Sequence, residues 1–347
     1  LAQGAFNKLY IVRAGEEEVV IRVTLPVDPQ WKKLSEVATL KWVRTMTHLP
    51  IPRILAYGAD RSNPIGFEYI IMNKVRGKLL VDMWQKMNFE AKASLVCELA
   101  SFCAETFQQQ IKRIGSLLLS PGDDMGRLTI GRIVSAFFIW DDHIHQDVPR
   151  GPFRSSKAWL SARLTIAEND CRKRLDCLKK LENRDEDQKD TTLFIISKLR
   201  SGMDEFFPIN SKRSEPTMIF HDDLSRHNIL IDEKGVLTGV GKRLDEQPIK
   251  STYQHDENGE VVELYWEDLE NYELTQLRRI FLDEMRWREP RWVEIFESNQ
   301  RQRDFGLAVT GCGDSFLIRR ICNWLKDMDS GVENFQGLEE RIDNASL

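Results

Sequence analysis

Short β-branched runs separated by turn residues dominate the first 75 positions of the chain. Gly15 and three glutamates separate the first two runs, which is the pattern of a β-hairpin. Apolar side chains then recur at three- and four-residue spacing over residues 31–47, and this predicts a helix that ends before Pro50. The N-terminal part is therefore predicted to be a small β-rich unit with one helix. Its predicted strands are residues 9–12, 19–23, 54–57 and 67–72.

Farther along, the pattern changes to helical periodicity. The clearest case is residues 158–181, where apolar side chains repeat at threes and fours along one face. Short apolar runs at residues 218–220, 229–231 and 236–240 predict strands next to a polar loop. The second part of the chain is therefore predicted to be mainly helical. Its other predicted helices are residues 89–112, 191–206, 263–287, 290–299 and 314–328.

Composition excludes several classes of protein. The chain has 347 residues, enough for two domains or one large bilobal one. Lys and Arg number 49 against 54 Asp and Glu, so the net charge of −5 gives no basic footprint for a nucleic acid. The apolar runs are far shorter than the roughly 20 residues that span a bilayer. We therefore predict a globular protein with neither a nucleic-acid partner nor a membrane partner.

The six cysteines are sparse, and no two of them have the C-x-x-C spacing of a zinc or redox site. Reduced thiols in the cytoplasm are the simplest interpretation. The chain starts at Leu1 rather than at Met, so a preceding targeting segment and a mitochondrial location stay open.

Residues 221–228 carry the most informative motif, with the letters HDDLSRHN. The spacing fits H-x-D-x-x-x-x-N, which is the spacing of a phosphotransferase catalytic loop. In such a loop an Asp accepts the proton of the attacking hydroxyl, and an Asn five residues later holds a metal on the nucleotide phosphates. Asp223 is therefore the candidate general base and Asn228 the candidate metal ligand.

With this motif and the β-rich start, the chain resembles the aminoglycoside phosphotransferase/choline kinase-like family, in a fungal-type branch. The resemblance implies an α+β, protein-kinase-like fold with two lobes and an ATP cleft between them. It implies an N-lobe over residues 1–75 and a helical C-lobe over 76–347, with a helical insertion over about 84–207. The implied cofactors are ATP and Mg²⁺, and the implied partner is a small molecule with a hydroxyl group.

The resemblance also implies roles for residues of the N-lobe. Gly4 and Phe6 stand in the loop over the phosphates, and Arg22 stands where kinase-like folds carry a strand lysine. Glu36 opens the helix that supplies the ion-pair partner of Arg22. The backbone from Asn73 to Val75 corresponds to the hinge that holds adenine.

One cluster in the insertion has a second interpretation. Carboxylates and imidazoles lie close together over residues 140–145, in the letters WDDHIH, and this invites a metal site. The favoured interpretation is a loop or helix end near the substrate cleft. Asp141 and Asp142 would attract a cationic substrate there.

The chain departs from the family pattern at three places. The phosphate loop has one glycine instead of G-x-G-x-x-G, and Arg22 replaces lysine, whose ammonium a planar guanidinium does not reproduce. The metal-binding Asp that follows the strand after the catalytic loop is missing, because residues 236–240 lead into Gly241-Lys242-Arg243. Asp245 is the nearest carboxylate that would take its place.

Three hypotheses follow from these departures. The first is an ATP-dependent phosphotransferase that acts on a hydroxyl of a small molecule. The second is a pseudokinase that binds a nucleotide or a protein without turnover. The third is a truncated, catalytically impaired family member, with an altered exon junction near Val240-Gly241.

Overall fold

A computed structural model gives the fold of the chain. It describes residues 2–4, 6–120, 127–179, 186–208, 214–221, 225–231, 246–255, 261–331 and 336–343. The described chain divides into two compact units. The first comprises Leu1–Arg76, Glu105–Arg172 and Met203–Ile219, and the second Gly77–Ala104, Lys173–Gly202 and Phe220–Leu347. The division into lobes over residues 1–75 and 76–347 stays a prediction.

A five-stranded antiparallel sheet forms the start of the first unit, in the order β1-β2-β3-β5-β4. The β-branched residues of the predicted hairpin form its two longest strands, because side chains of this shape pack well on a pleated surface. The strands are β1 (Ala2–Gln3), β2 (Asn7–Ala14), β3 (Glu17–Thr24), β4 (Ile54–Gly58) and β5 (Glu68–Asn73).

Helix α1 (Trp31–Met46) contacts β4 and β5. Along β5 every second residue is buried, namely Glu68, Ile70 and Met72, so one face of the strand is covered. Across the ladder Arg22 of β3 pairs with Ile70, and Thr24 pairs with Glu68. Arg22, Thr24 and Glu68 therefore share one face of the sheet.

The rest of the first unit contains a hairpin that the sequence pattern did not predict. Strands β7 (Ser116–Leu119) and β8 (Leu128–Gly131) pair antiparallel, and β7 contacts α1. The run Leu117–Leu119 is buried but too short for its period to distinguish strand from helix. Helices α4 (Ala136–Ile139) and α5 (Ser156–Lys179) follow.

In the second unit most predicted helices are present with small shifts of their ends. Strand β6 (Lys78–Leu79) pairs with β9 (Leu230–Ile231), and Leu80, Trp84, Leu95 and Ile231 belong to one buried cluster. Two helices near the C-terminus, α9 and α11, were not predicted. The helices are α2 (Leu80–Met83), α3 (Phe89–Gln108), α6 (Glu186–Phe206), α7 (Glu263–Arg288), α8 (Pro290–Ser298), α9 (Gln300–Gly311), α10 (Ile318–Asp329) and α11 (Leu338–Asp343).

The predicted strand at residues 218–220 is wrong. Thr217 makes a single bridge to Ile111, and the residues after it extend no ladder. Phe220 is 83% exposed, so the apolar run that suggested a strand is not buried. The predicted strand at residues 236–240 lies outside the described residues. None of the helices in the described part of the chain is long and apolar enough to cross a bilayer.

Candidate nucleotide and phosphoryl-transfer site

The predicted phosphate loop is the connection between β1 and β2. The Gly4 N–H donates to the Asn7 carbonyl over 2.9 Å, and the Phe6 carbonyl accepts from the Leu25 N–H over 2.9 Å. The Phe6 ring lies edge-on to Trp140, with 5.6 Å between centroids. The Lys32 ammonium lies 5.7 Å from the Phe6 ring centroid. Phe6 therefore joins this loop to Lys32 of helix α1 and to Trp140, which lies after β8 in the chain.

Arg22 and Glu36 form the ion pair that the resemblance implied. Arg22 reaches from β3, and Glu36 reaches from the second turn of α1 rather than from its start. Burial lowers the pKa of Arg22 to about 10. The Arg22 Nε is buried and has no hydrogen-bond partner among the described residues, so the guanidinium keeps a free donor. Its role toward phosphate stays a prediction.

Lys33 is the residue of this region that sequence reasoning missed. Its side chain is fully buried, and its ammonium donates to Thr24 Oγ1 over 2.6 Å and to Glu36 Oε2 over 2.8 Å. Thr24 in turn donates to Asn7 Oδ1 over 2.8 Å. Lys33 lies three residues before Glu36 and four before the buried Val37 on one helix face, but this spacing is equally typical of a lysine in a surface ion pair, so the sequence carries no signal of its burial.

Burial controls the electrostatics of Lys33. It lowers the pKa of the Lys33 ammonium to about 7, and the cations Arg22 and Lys32 act in the same direction. Glu68 opposes them. A lysine held this way changes its charge close to neutral pH.

Two buried carboxylates, Asp28 and Glu68, lie near the start of α1. Glu68 Oε1 accepts the Gln30 N–H over 2.7 Å, while its Oε2 is buried with no hydrogen-bond partner in the described chain. Asp28 Oδ2 lies 3.0 Å from Arg132 Nη2 and 3.8 Å from Arg150 Nη1. Burial raises the pKa of both carboxyl groups.

We call the charged side chains around the start of α1 the N-terminal charge cluster. Its cations outnumber its carboxylates, so it favours an anionic ligand. Its members are Arg22, Asp28, Lys32, Lys33, Glu36, Glu68, Arg132 and Arg150.

At the predicted hinge, Asn73 is already engaged with the neighbouring strand. Its N–H donates to the Arg53 carbonyl over 3.1 Å, and its side-chain oxygen accepts the Arg53 N–H. The Lys74 ammonium pairs with Glu18 over 2.7 Å. No hydrogen bond joins Val75 to another residue that the structure describes. Adenine binding by Asn73 and Val75 stays a prediction.

Of the predicted catalytic loop and the strand after it, the structure describes His221 and the segment Ser225–Ile231. Asp223 lies outside the described residues, and so does Asp245. The Asn228 N–H donates to the Ser225 carbonyl over 3.0 Å, and the Asn228 side chain is exposed. The Leu80 N–H donates to Ile229 over 3.0 Å, which fixes the outgoing end of the loop to the start of α2.

Arg226 lies inside the motif and contacts two helices, α2 and α7. Its carbonyl accepts the Val81 N–H over 3.1 Å, and its guanidinium pairs with Glu270 of α7 over 2.8 Å. The guanidinium also lies 5.3 Å from the ring centroid of Trp84. The Lys92 ammonium lies 4.7 Å from the same ring. The loop that carries Asn228 is therefore anchored to a buried core.

A profile described as the phosphotransferase enzyme family matches residues 1–240. The chain belongs to this family. The match confirms the predicted family and, with a sheet followed by helices, the predicted α+β, protein-kinase-like fold class.

Curated proteins of fungi are among those that the chain matches. A subtelomeric hrmA-associated cluster protein of Aspergillus fumigatus is 30% identical over 166 residues, 45% of this chain and 33% of the relative. The protein named altered inheritance of mitochondria protein 9, mitochondrial, of Meyerozyma guilliermondii is 28% identical over 122 residues, 33% of this chain and 20% of the relative. The matched part spans a third or less of these curated relatives.

Among solved structures, the chain is similar to a thermostable mutant of aminoglycoside phosphotransferase APH(4)-Ia in complex with AMP-PNP and hygromycin B. The TM-score is 0.43 with 13% identity, over 95% of this chain and 87% of the other. The ADP-bound aminoglycoside phosphotransferase APH(2'')-Ib gives a TM-score of 0.39 with 13% identity, over 93% of each chain.

The described residues of this chain do not build a metal site. They contain no group of three His, Cys, Asp or Glu side chains that could hold an ion. At the WDDHIH cluster, His143 Nε2 lies 2.7 Å from Asp170 Oδ2 and Nδ1 faces the Phe137 carbonyl, so both ring nitrogens face protein partners. Asn228 as a magnesium ligand stays a prediction.

Proposed function

We propose that the protein is an ATP-dependent phosphotransferase that transfers a phosphoryl group to a hydroxyl of a small molecule. The observation that carries the proposal is the Arg22–Glu36 ion pair inside the N-terminal charge cluster, in a chain of the phosphotransferase family. The Arg22 side chain is 24% exposed, and a partly exposed guanidinium suits a phosphate oxygen. The excess of cations around it favours a polyphosphate over a neutral ligand.

The residues take the following roles in this proposal. Arg22 contacts the nucleotide phosphates and Glu36 orients it, while the Gly4–Phe6 loop covers the phosphates. The segment from Asn73 to Val75 receives the adenine through the backbone of Val75, since the Asn73 N–H is bonded to the Arg53 carbonyl. Asp223 accepts the proton of the substrate hydroxyl as the hydroxyl oxygen attacks the terminal phosphorus of ATP, while the bond from that phosphorus to the bridging oxygen breaks and ADP leaves.

Asn228 is the one candidate metal ligand that the structure describes. A bound Mg²⁺ would neutralise phosphate charge during transfer. The described residues do not complete such a site.

A pseudokinase that binds nucleotide without turnover is the second candidate. The sequence favours it at one position, since Gly241-Lys242-Arg243 stand where the family carries its metal-binding Asp. Cations there attract phosphate but do not reproduce the geometry of a metal. A truncated, catalytically impaired family member would differ from both candidates by failing to unfold cooperatively.

The acceptor and the cellular location are proposed only as classes. The acceptor is a small molecule with a hydroxyl group. The location is cytoplasmic, with a mitochondrial one as the alternative, which the name of the Meyerozyma guilliermondii relative supports.

The test is calorimetric titration with ATP, with and without magnesium, followed by measurement of ADP release. ATP is expected to bind, and Arg22→Met is expected to weaken binding by about tenfold or more, the loss of one charge-assisted contact. Arg13→Met, which removes an exposed arginine of the same sheet, should not change binding. Asp223→Asn should retain binding and abolish turnover. Binding without any turnover in the unaltered protein would favour the pseudokinase, and no binding would overturn both candidates.

A further inference from the structure

Lys33 occupies an unusual place for a lysine. Its side chain has 0% exposure, although buried ammonium groups are rare unless they are paired. Two of its three donor positions are used, by Thr24 on β3 and by Glu36 one turn farther along α1. Thr24 continues the chain of hydrogen bonds to Asn7, directly after the Gly4–Phe6 loop. The ammonium thus links the sheet, the helix and the end of the predicted phosphate loop.

Glu36 is shared between two cations. Its Oε1 pairs with Arg22 and its Oε2 with Lys33, so one negative charge faces two groups that can be positive. With Lys33 protonated, the three side chains carry a surplus positive charge. With Lys33 neutral, the surplus is gone, and Arg22 and Glu36 neutralise each other. The charge available to an anion at Arg22 therefore depends on one proton on Lys33.

The groups that face Lys33 come from three elements. Arg22 lies on β3, Lys32 and Glu36 lie on α1, and Glu68 lies on β5. Burial and the two cations favour the neutral amine, while the carboxylates favour the ammonium. The balance holds the pKa of Lys33 at about 7, so both protonation states are populated near neutral pH. An anion that arrives at Arg22 adds negative charge and shifts the balance toward the ammonium.

We propose that Lys33 is a proton-linked positioning residue: when a nucleotide polyphosphate binds at Arg22, Lys33 takes up a proton from solvent and holds Glu36 from the buried side. The inference rests on the proposed function in one respect, that Arg22 meets the phosphates. The proton ends on Lys33 Nζ, and no covalent bond changes. The proton reaches Lys33 from solvent by way of Glu36, whose side chain is 20% exposed and accepts a hydrogen bond from the Lys33 ammonium.

The proposal predicts both a sign and a size. If bound polyphosphate raises the pKa of Lys33 by about two units, roughly half a proton is taken up at about pH 7 and roughly 0.8 at about pH 8. Affinity then falls roughly fivefold between those two pH values. A terminal phosphate that binds to cations loses its own proton, since its second pKa is about 6, and this has the opposite sign. Net uptake therefore cannot come from the nucleotide.

The experiment measures proton uptake by titrating the full chain with metal-free ADP in two buffers of different ionisation enthalpy. The difference between the two apparent enthalpies gives the number of protons bound. Adenosine, which lacks phosphates, is the matched ligand and should give no uptake. Lys33→Met should lose the uptake and weaken ADP binding at about pH 7 by several fold, with adenosine unaffected. Lys41→Met removes an exposed lysine of the same helix and should keep the uptake.

Each outcome decides one question. Uptake with ADP that is absent in Lys33→Met supports the inference. ADP binding with no net uptake, or with equal uptake in Lys33→Met, overturns the inference and leaves the proposed function intact. Absence of ADP binding to the unaltered, folded chain overturns the proposed function and the inference together. If Lys33→Met does not fold, the sign of the uptake in the unaltered chain and the adenosine comparison still decide.

Discussion

The Arg226 guanidinium lies 2.8 Å from the Glu270 carboxylate, and this pair ties the catalytic-loop motif to the first turns of α7. The two side chains are 30% and 26% exposed. The same guanidinium contacts the ring of Trp84, which is buried in the core of the second unit. An arginine inside the motif therefore connects the loop to two helical elements at once.

This connection predicts a coupled loss of stability. Arg226→Met and Glu270→Gln should each lower the free energy of unfolding by about 1 kcal/mol, because the pair is partly solvated. The double variant should lose less than the sum of the two, which chemical denaturation in a double-mutant cycle measures. Arg319→Met, at an exposed position of α10, is the control and should change stability by less than about 0.5 kcal/mol. Strict additivity would mean that the two side chains do not interact in solution.

Lys33 predicts the pH dependence of stability. Its folded pKa of about 7 lies below its ordinary value of 10.5, so between these values the unfolded chain binds the extra proton. The free energy of unfolding should therefore rise with pH above about 7, by at most about 1.4 kcal/mol per pH unit from this group. In Lys33→Met this contribution should vanish, and in Lys41→Met it should persist. Denaturation curves at several pH values up to about 9.5 provide the slopes, and equal slopes for all three proteins would contradict the buried lysine.

Asp28 is expected to be the most sensitive carboxylate of the N-terminal charge cluster. Its side chain is 3% exposed and faces Arg132 and Arg150, so Asp28→Asn leaves two cations without their counter-charge. We expect a loss of about 2–3 kcal/mol, less than for a fully buried pair because Arg132 is 27% exposed. Asp329→Asn is the matched control, since Asp329 pairs with Lys198 at the surface with 58% exposure. Thermal and chemical unfolding of both variants would test this, and similar losses in the two would refute it.

Gly77 lies where the chain enters β6, and its backbone needs glycine. Its φ is +147°, and a Cβ there would lie 2.7 Å from the Ile231 carbonyl oxygen at the end of the catalytic-loop segment. Gly77→Ala should therefore cost about 1–3 kcal/mol. Gly306→Ala in α9 meets no atom within 4 Å and should stabilise the protein by up to about 1 kcal/mol through helix propensity. Unfolding measurements should show a lower free energy of unfolding for Gly77→Ala and a higher one for Gly306→Ala. An unchanged free energy for Gly77→Ala would mean that the β6–β9 pair moves to accommodate the added methyl group.

Several features could be predicted because they depend on local pattern. The β2–β3 hairpin follows from β-branched runs around Gly15, and α1 follows from its apolar spacing. The Arg22–Glu36 pair was predictable because both positions followed from the family resemblance. In contrast, the β7–β8 hairpin and the absence of a strand at residues 218–220 depend on which short apolar runs become buried, and neighbours distant in the sequence decide that.

The sequence by itself determined the family, the HDDLSRHN motif and the pairing of Arg22 with Glu36. The tertiary structure alone decided that Lys33 is buried, because a lysine in a helix normally faces water and only the packing of α1 in the first unit removes it from solvent. It also decided that Arg226 meets Glu270, 44 positions later in the chain, because residues that far apart are brought together by the fold and not by local periodicity.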